Sequence, residues 1–208
     1  MDERQARAWL SEPRYTRFLA AAGGDHGRAV TLYEWHAELS VASFGLLHHF
    51  EVLLRNAIDH ALGAGQPQTP IKDTWLLDFE TLQPDGIKQV IIAIERLEKG
   101  KLVTRGRVVA GLSFGFWAGL FGRRYEELWR HRLRGVFPHG TLTRKDLSTR
   151  MRLIQRFRNR VAHHDSLLGQ DVQARLDDML TIASWIDPAA NAWLDSSTDA
   201  PAMVLRMP

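Results

Sequence analysis

Between Asp25 and Gly63 the chain runs without a proline, and Leu39, Phe44, Leu47, Phe50, Leu54, Ile58 and Leu62 recur at intervals of three, four and, once, five. Apolar positions at that spacing line one side of an α-helix. The pattern predicts one long helix, or two nearly continuous ones, forming the spine of the fold. Ahead of it, "SEPRYTRFLAAAGG" predicts a helix with Ser11 as N-cap, Pro13 in the first turn and Gly23 as its stop.

Downstream, "GAGQPQTP" (63–70) is a loop, and "PDGIKQVIIAIERLEKG" predicts a helix opened by Pro84 and closed by Gly100. The segment "TRGRVVAGLSFGFWAGLFG" is expected to be one apolar, buried helix, and "RRYEELWRHRLRGVFP" a further one ended by Pro138. In "TRKDLSTRMRLIQRFRNRVAHH" the positions Leu147, Met151, Ile154 and Val161 share one stripe. "DVQARLDDMLTIASWID" predicts a last long helix stopped by Pro188. No strand alternation and no internal repeat occurs, so the expected class is all-α. It would be a single helical domain over residues 1–195, followed by a flexible tail at 196–208.

With 208 residues and 45 % hydrophobic positions the chain can bury one sizeable core. The N-terminus is charged and carries no apolar signal segment. The longest apolar run, 108–122, is about five residues short of a membrane span and holds four glycines. A cytoplasmic protein is expected. There are no cysteines, which rules out disulfides and thiolate metal sites.

The basic residues are 22 Arg and 5 Lys, and eleven of the arginines lie between Arg123 and Arg160 beside three acids, Glu126, Glu127 and Asp146. An arginine-rich field suits phosphate, because the guanidinium presents a planar fork of donors, although a GC-rich genome would also favour arginine codons.

The candidate chemistry sits in "RFRNRVAHHDSLL" (156–168). An arginine five residues before a histidine occurs three times, as Arg55/His60, Arg134/His139 and Arg158/His163, where composition alone predicts about one. Only three asparagines occur in the chain, and two of them, Asn56 and Asn159, directly follow the arginine of such a pair. In a continuous helix, positions five apart differ by roughly 140°, so arginine and histidine converge only if there is room for the long arginine to swing round, or if the helix ends near the histidine and releases it. Periodicity is lost after Val161, whereas "RNAIDH" lies inside the spine. The favoured set is therefore Arg158, Asn159 and His163.

The segments "LYEWHAELSVASFGLLHHFEVLLRNAID", "VVAGLSFGFW" and "RNRVAHHDSLL", in this order, resemble the Abi-like (abortive infection) protein family of the HEPN superfamily. The resemblance spans about residues 10 to 190, and Arg-Asn-x-x-Ala-His-His is its most specific element. It implies a HEPN-like helical bundle with additional helices that forms a homodimer. It further implies a metal-independent endoribonuclease centre carried by Arg158 and His163, with Asn159 as the polar position after the arginine, and a role as a toxin or in phage defence.

Such a site needs no cofactor, because RNA supplies its own 2′-OH nucleophile. A histidine can move the proton and an arginine can neutralise the phosphorane-like transition state. Asparagine can fix the imidazole tautomer or hold the phosphate. One helix supplies one such set, so a two-fold dimer would provide both acid and base.

Arg152, Arg156 and Arg160 repeat every four residues and would form an RNA phosphate track, with His164 beside it; the alternative is a solvated face. Glu51 and Arg55 read first as a helix ion pair. Glu51, Arg55 and Asn56 could also back the Arg158 cleft, since spine and motif helices must pack together. "HHD" (163–165) lacks metal-ligand spacing. Most tryptophans and phenylalanines are expected in the core, with Tyr33 and Trp35 the open cases for stacking on bases. The expected partners are RNA, a second copy of the chain and an antitoxin protein, with no membrane. The competing function is a non-catalytic HEPN-type module that binds RNA or a protein.

Overall fold

A computed structural model describes residues 1–97, 100 and 102–208. Eleven α-helices and four short 3-10 turns make up the described residues, with no strand among them, so the fold is all-α as the patterning requires. No helix of the described residues is long and apolar enough to cross a membrane.

The expected spine is one unbroken helix. After α1 (Glu3–Leu10) and α2 (Glu12–Ala21), α3 runs from His26 to Leu62. The Asp25 side chain caps its start by accepting from the Arg28 N–H at 2.8 Å. Its stripe Leu39, Leu46, Leu47, Phe50, Leu54, Ile58 and Leu62 is buried in the main core. Phe44 is the exception: it belongs to the sequence stripe, yet it is 48 % exposed. The five-residue step from Leu39 turns Phe44 away from the face that Leu46 and Leu47 fill. At the other end of α3, Ala29 and Leu32 join Ala6, Tyr15 and Phe18 of α1 and α2 in a second, smaller core.

The C-terminal end of α3 is held by charge. Arg105 is only 9 % exposed, and donates to the carbonyls of Gly63 at 2.9 Å and Gln66 at 3.1 Å. Its Nε lies 3.2 Å from Asp59, and Asp59 also accepts from the Trp75 indole at 2.9 Å. Arg132 donates to the carbonyls of Ala61 at 3.0 Å and Leu62 at 2.8 Å. Arg132 thus satisfies two of the last carbonyls of α3, and Arg105 ties the loop after the helix to Asp59. Gly63 is required there, because a Cβ would stand 2.6 Å from Arg105 Nη1 and 2.8 Å from the Asp59 carbonyl.

The segment expected as one apolar helix is two, α5 (Arg105–Gly111) and α6 (Phe114–Gly119), following α4 (Pro84–Glu95). Leu112 is extended at the junction, and Ser113 begins a new helix by accepting from the Phe116 N–H. Phe114, Phe116 and Trp117 all lie in α6, beyond the break, and all are buried. The expected helix end at Gly100 passes through residues 98 and 99, which lie outside the described residues; α4 itself stops at Glu95. The stretch before Pro138 is α7 (Glu126–His131) flanked by 3-10 turns at Arg123–Tyr125 and Leu133–Val136.

Helix α8 (Arg144–Ala162) opens with a capping box between Thr143 and Asp146, and its stripe Leu147, Met151, Ile154 and Val161 is buried against α3, α6 and α9 (Val172–Ile186). A charged clasp reinforces the α8–α9 contact: Asp178, 5 % exposed, pairs with Arg150 and, at 2.7 Å, with Arg175. Pro188 does end α9, but it also starts α10 (Pro188–Ser196) as a first-turn proline. The region expected as a flexible tail from residue 196 carries α11 (Ala200–Val204). It is docked on α3 through buried Ala200 and through the Trp35 indole, which donates to the Met203 carbonyl at 2.8 Å. Trp35 is thereby a structural residue.

Replacing Arg105 by alanine leaves the Gly63 carbonyl with only the Gln66 N–H, removes the donor of the Gln66 carbonyl and leaves Asp59 facing Trp75 without a counter-charge. The expected loss is about 3 kcal/mol of unfolding free energy. A urea titration followed by circular dichroism reads it, and an unchanged midpoint would remove Arg105 from its role at the spine end.

Candidate functional site

The helix that carries the motif ends where the chemistry needs it to end. α8 stops at Ala162, and His163 is its C-cap, with φ −96° and ψ 9°. The chain then turns sharply: the Asp165 N–H reaches back to the Arg160 carbonyl at 2.8 Å, and the His164 N–H to Val161 at 3.1 Å. These are the two bonds of a Schellman ending, whose turning residue is normally glycine. Here it is His164, at φ 56°. A left-handed conformation costs a residue with a side chain roughly 1 kcal/mol, and such strain gathers where a side chain is needed in place. His163 and His164 are both exposed, and no hydrogen bond to the His163 ring is formed among the described residues.

Arg158 points elsewhere. It is four residues from Ile154 and seven from Met151, so it shares the face of α8 that packs on the spine. There it lines a small cleft of about 160 Å³ with Phe44, Leu47, His48, Glu51 and Arg55 of α3. The structure thus brings Arg158, Glu51 and Arg55 together and adds His48. Asn56 is exposed and lies outside this cleft. The Glu51–Arg55 helix ion pair is not formed; Arg55 Nε is buried without a hydrogen-bond partner. Glu51 is instead a half-buried carboxylate facing several cations. Burial raises its pKa above the ordinary glutamate value, and the charges of Arg158, Arg55 and His48 offset only part of that effect.

The expected arginine track divides in two. Arg152 and Arg156 are exposed on the outer face of α8 beside Asn159, which is also exposed. Arg160 is half-buried and turned toward the Ser166 carbonyl, to which it donates at 3.0 Å. It therefore helps hold the turn after the helix and does not project freely beside Arg156. Arg156 and Arg160 do share a cleft of about 260 Å³ with Arg175 of α9. Arg175 lies fifteen residues from Arg160 on another helix, and nothing in linear spacing could connect them. Among the described residues no group of acidic and histidine side chains could hold a metal ion.

No protein-family model, curated protein or solved structure matches the chain.

The raised pKa of Glu51 has a consequence for stability. A carboxyl whose pKa is higher in the folded state takes up a proton on folding. Stability therefore falls as pH rises from the unfolded to the folded pKa, and the penalty persists above it. Glu51→Gln is expected to unfold at higher urea than the parent at neutral pH, and at the same urea well below the ordinary glutamate pKa of about 4.3. A variant less stable than the parent at neutral pH would show that pairing with Arg158 and Arg55 outweighs burial.

Proposed function

We propose that the protein is a metal-independent endoribonuclease of the HEPN type, related to the Abi-like proteins and acting as a toxin or phage-defence effector. The observation that carries this reading is the ending of α8. The helix stops at Ala162 and sets the His163 imidazole free at the surface, one turn beyond an arginine that lines a cleft of the spine.

In the reaction the RNA 2′-oxygen attacks the adjacent phosphorus while the bond from phosphorus to the 5′-oxygen breaks. The products are a 2′,3′-cyclic phosphate and a free 5′-OH. A histidine takes the proton from the 2′-OH or supplies one to the leaving oxygen. Arg158 neutralises the charge that gathers on the phosphoryl oxygens. Asn159, exposed beside His163, orients the imidazole or the phosphate. The exposed Arg152 and Arg156 carry the flanking RNA backbone, and His164 bounds the site on the far side of the turn.

Within one chain Arg158 faces α3 and His163 faces outward. A homodimer in which two α8 ends meet supplies an acid, a base and two arginines around one phosphate.

A second reading draws on the same geometry. Arg160 holds a turn and Arg158 faces Glu51, so part of the basic motif serves the fold. A non-catalytic helical module that binds RNA, or a protein such as an antitoxin, would need no more than that.

Purified protein is expected to cleave single-stranded RNA in EDTA and to leave DNA of the same sequence intact. His163→Ala and Arg158→Ala should each lower the rate by about 10²- to 10⁴-fold. RNA left whole by the wild-type protein would favour the binding module. Full activity in a chain that sediments as a monomer would remove the composite site.

A further inference from the structure

Two clefts open beside the C-terminal half of α8. The larger, about 610 Å³, is an apolar groove between α2, α3 and the last turn of α8, beside His36, Val41 and Phe44. The smaller, about 260 Å³, lies between α8, α9 and the turn that joins them, and its character is cationic. Arg156 and Arg160 enter it from consecutive turns of α8, Arg175 from α9 and Gln170 from the turn. Leu153 and the buried Phe157 complete its lining with Asp171.

Three guanidiniums in one cleft repel one another, and the acids around them do not balance the charge. Asp178 divides its two oxygens between Arg150 and Arg175, so one carboxylate serves two cations. Asp171, the one acid in the lining, accepts from the Ala174 N–H at 3.0 Å as the N-cap of α9. Arg156 is exposed and forms no ion pair among the described residues. Arg160 gives one N–H to the Ser166 carbonyl at 3.0 Å and keeps the rest of its five-donor fork. The surplus of positive charge attracts an anion, and the tethers of Arg160 and Arg175 hold two of the forks in place for it.

The arrangement also selects among anions. A carboxylate offers two oxygens in one plane, which a single fork satisfies. Forks arriving from two helices suit a group with oxygens on several sides, and phosphate is such a group. The cleft is in line with the candidate site as well. Arg156, Asn159 and His163 follow one face of α8 at steps of three and four residues, a span of roughly 10 Å along the helix axis.

We infer that the cleft between α8 and α9 is a phosphate subsite. Arg156, Arg160 and Arg175, with Gln170 as a neutral donor, hold a backbone phosphate of RNA whose strand continues past Asn159 to His163. The inference rests on the RNA reading above and extends it to Arg175 and Gln170, which lie outside the motif.

The test uses the full chain and a single-stranded 2′-O-methyl RNA oligonucleotide. That probe has no free 2′-OH nucleophile, so it stays whole while fluorescence anisotropy in EDTA reads its binding. Arg156→Gln and Gln170→Glu alter exposed side chains, and each is expected to weaken binding by about tenfold. Arg156→Gln should also lower the slope of log affinity against log salt by about 0.7, the share of one single-strand phosphate. Lys88→Gln, at an exposed position of α4, removes the same charge elsewhere and should leave both readings unchanged. Equal weakening by Lys88→Gln and Arg156→Gln, or no weakening by Arg156→Gln and Gln170→Glu, would overturn the subsite. So would competition as strong as the oligonucleotide's from inorganic phosphate, which marks a free-anion site, or from poly-glutamate, which marks a surface for an acidic protein. Failure of the two readings is separable. The expected binding pattern with ordinary RNA left whole removes the nuclease and keeps the cleft. Cleavage of RNA, with binding insensitive to Arg156→Gln and Gln170→Glu, removes the cleft and keeps the nuclease.

Discussion

An arginine in the middle of an apolar stripe is the constraint on which the candidate site turns. α8 buries Leu147, Met151, Ile154 and Val161, and Arg158 projects from the same face. A guanidinium carried into a helix interface must find charge or water there. It finds both at the Glu51 cleft, where the spine offers a half-buried carboxylate and an opening to solvent. Since α8 is anchored over its length by buried residues, the face from which Arg158 projects is set by the fold. His163, beyond the last helical residue, is under no such restraint.

The cations of this chain divide by the same logic. Arg105 and Arg132 close the spine, Arg150 and Arg175 flank Asp178, and Arg160 closes the motif turn. Each meets a carbonyl or carboxylate of the fold itself, and removing one partner of such a contact costs more than an exposed contact would. Arg152 and Arg156 meet none of these and stand on the open face of α8. Density of arginine in the sequence is thus a poor measure of nucleic-acid affinity in this protein. The arginines that remain after structural duties are accounted for are the better guide.

Much of this was legible in the residues. The spine follows from proline-free periodicity between Asp25 and Gly63, and the end of α8 follows from the loss of periodicity after Val161. Other features depend on tertiary contacts. The docking of α11 comes from the reach of Trp35, whose indole bonds a carbonyl 168 residues away. Phe44 falls on the sequence stripe because spacing cannot say which neighbours fill the core. His36 was invisible for a different reason. A lone histidine among apolar residues carries no signal until a groove is seen to open beside its unpaired nitrogen.

Phe44 also links the two clefts. It lines the small charged pocket of Arg158 on one side and the large apolar groove on the other, from an exposed position on one turn of the spine. The charged pocket and the apolar groove are therefore held in one register by a single rigid element, because a 37-residue helix packed along its length offers no hinge between them.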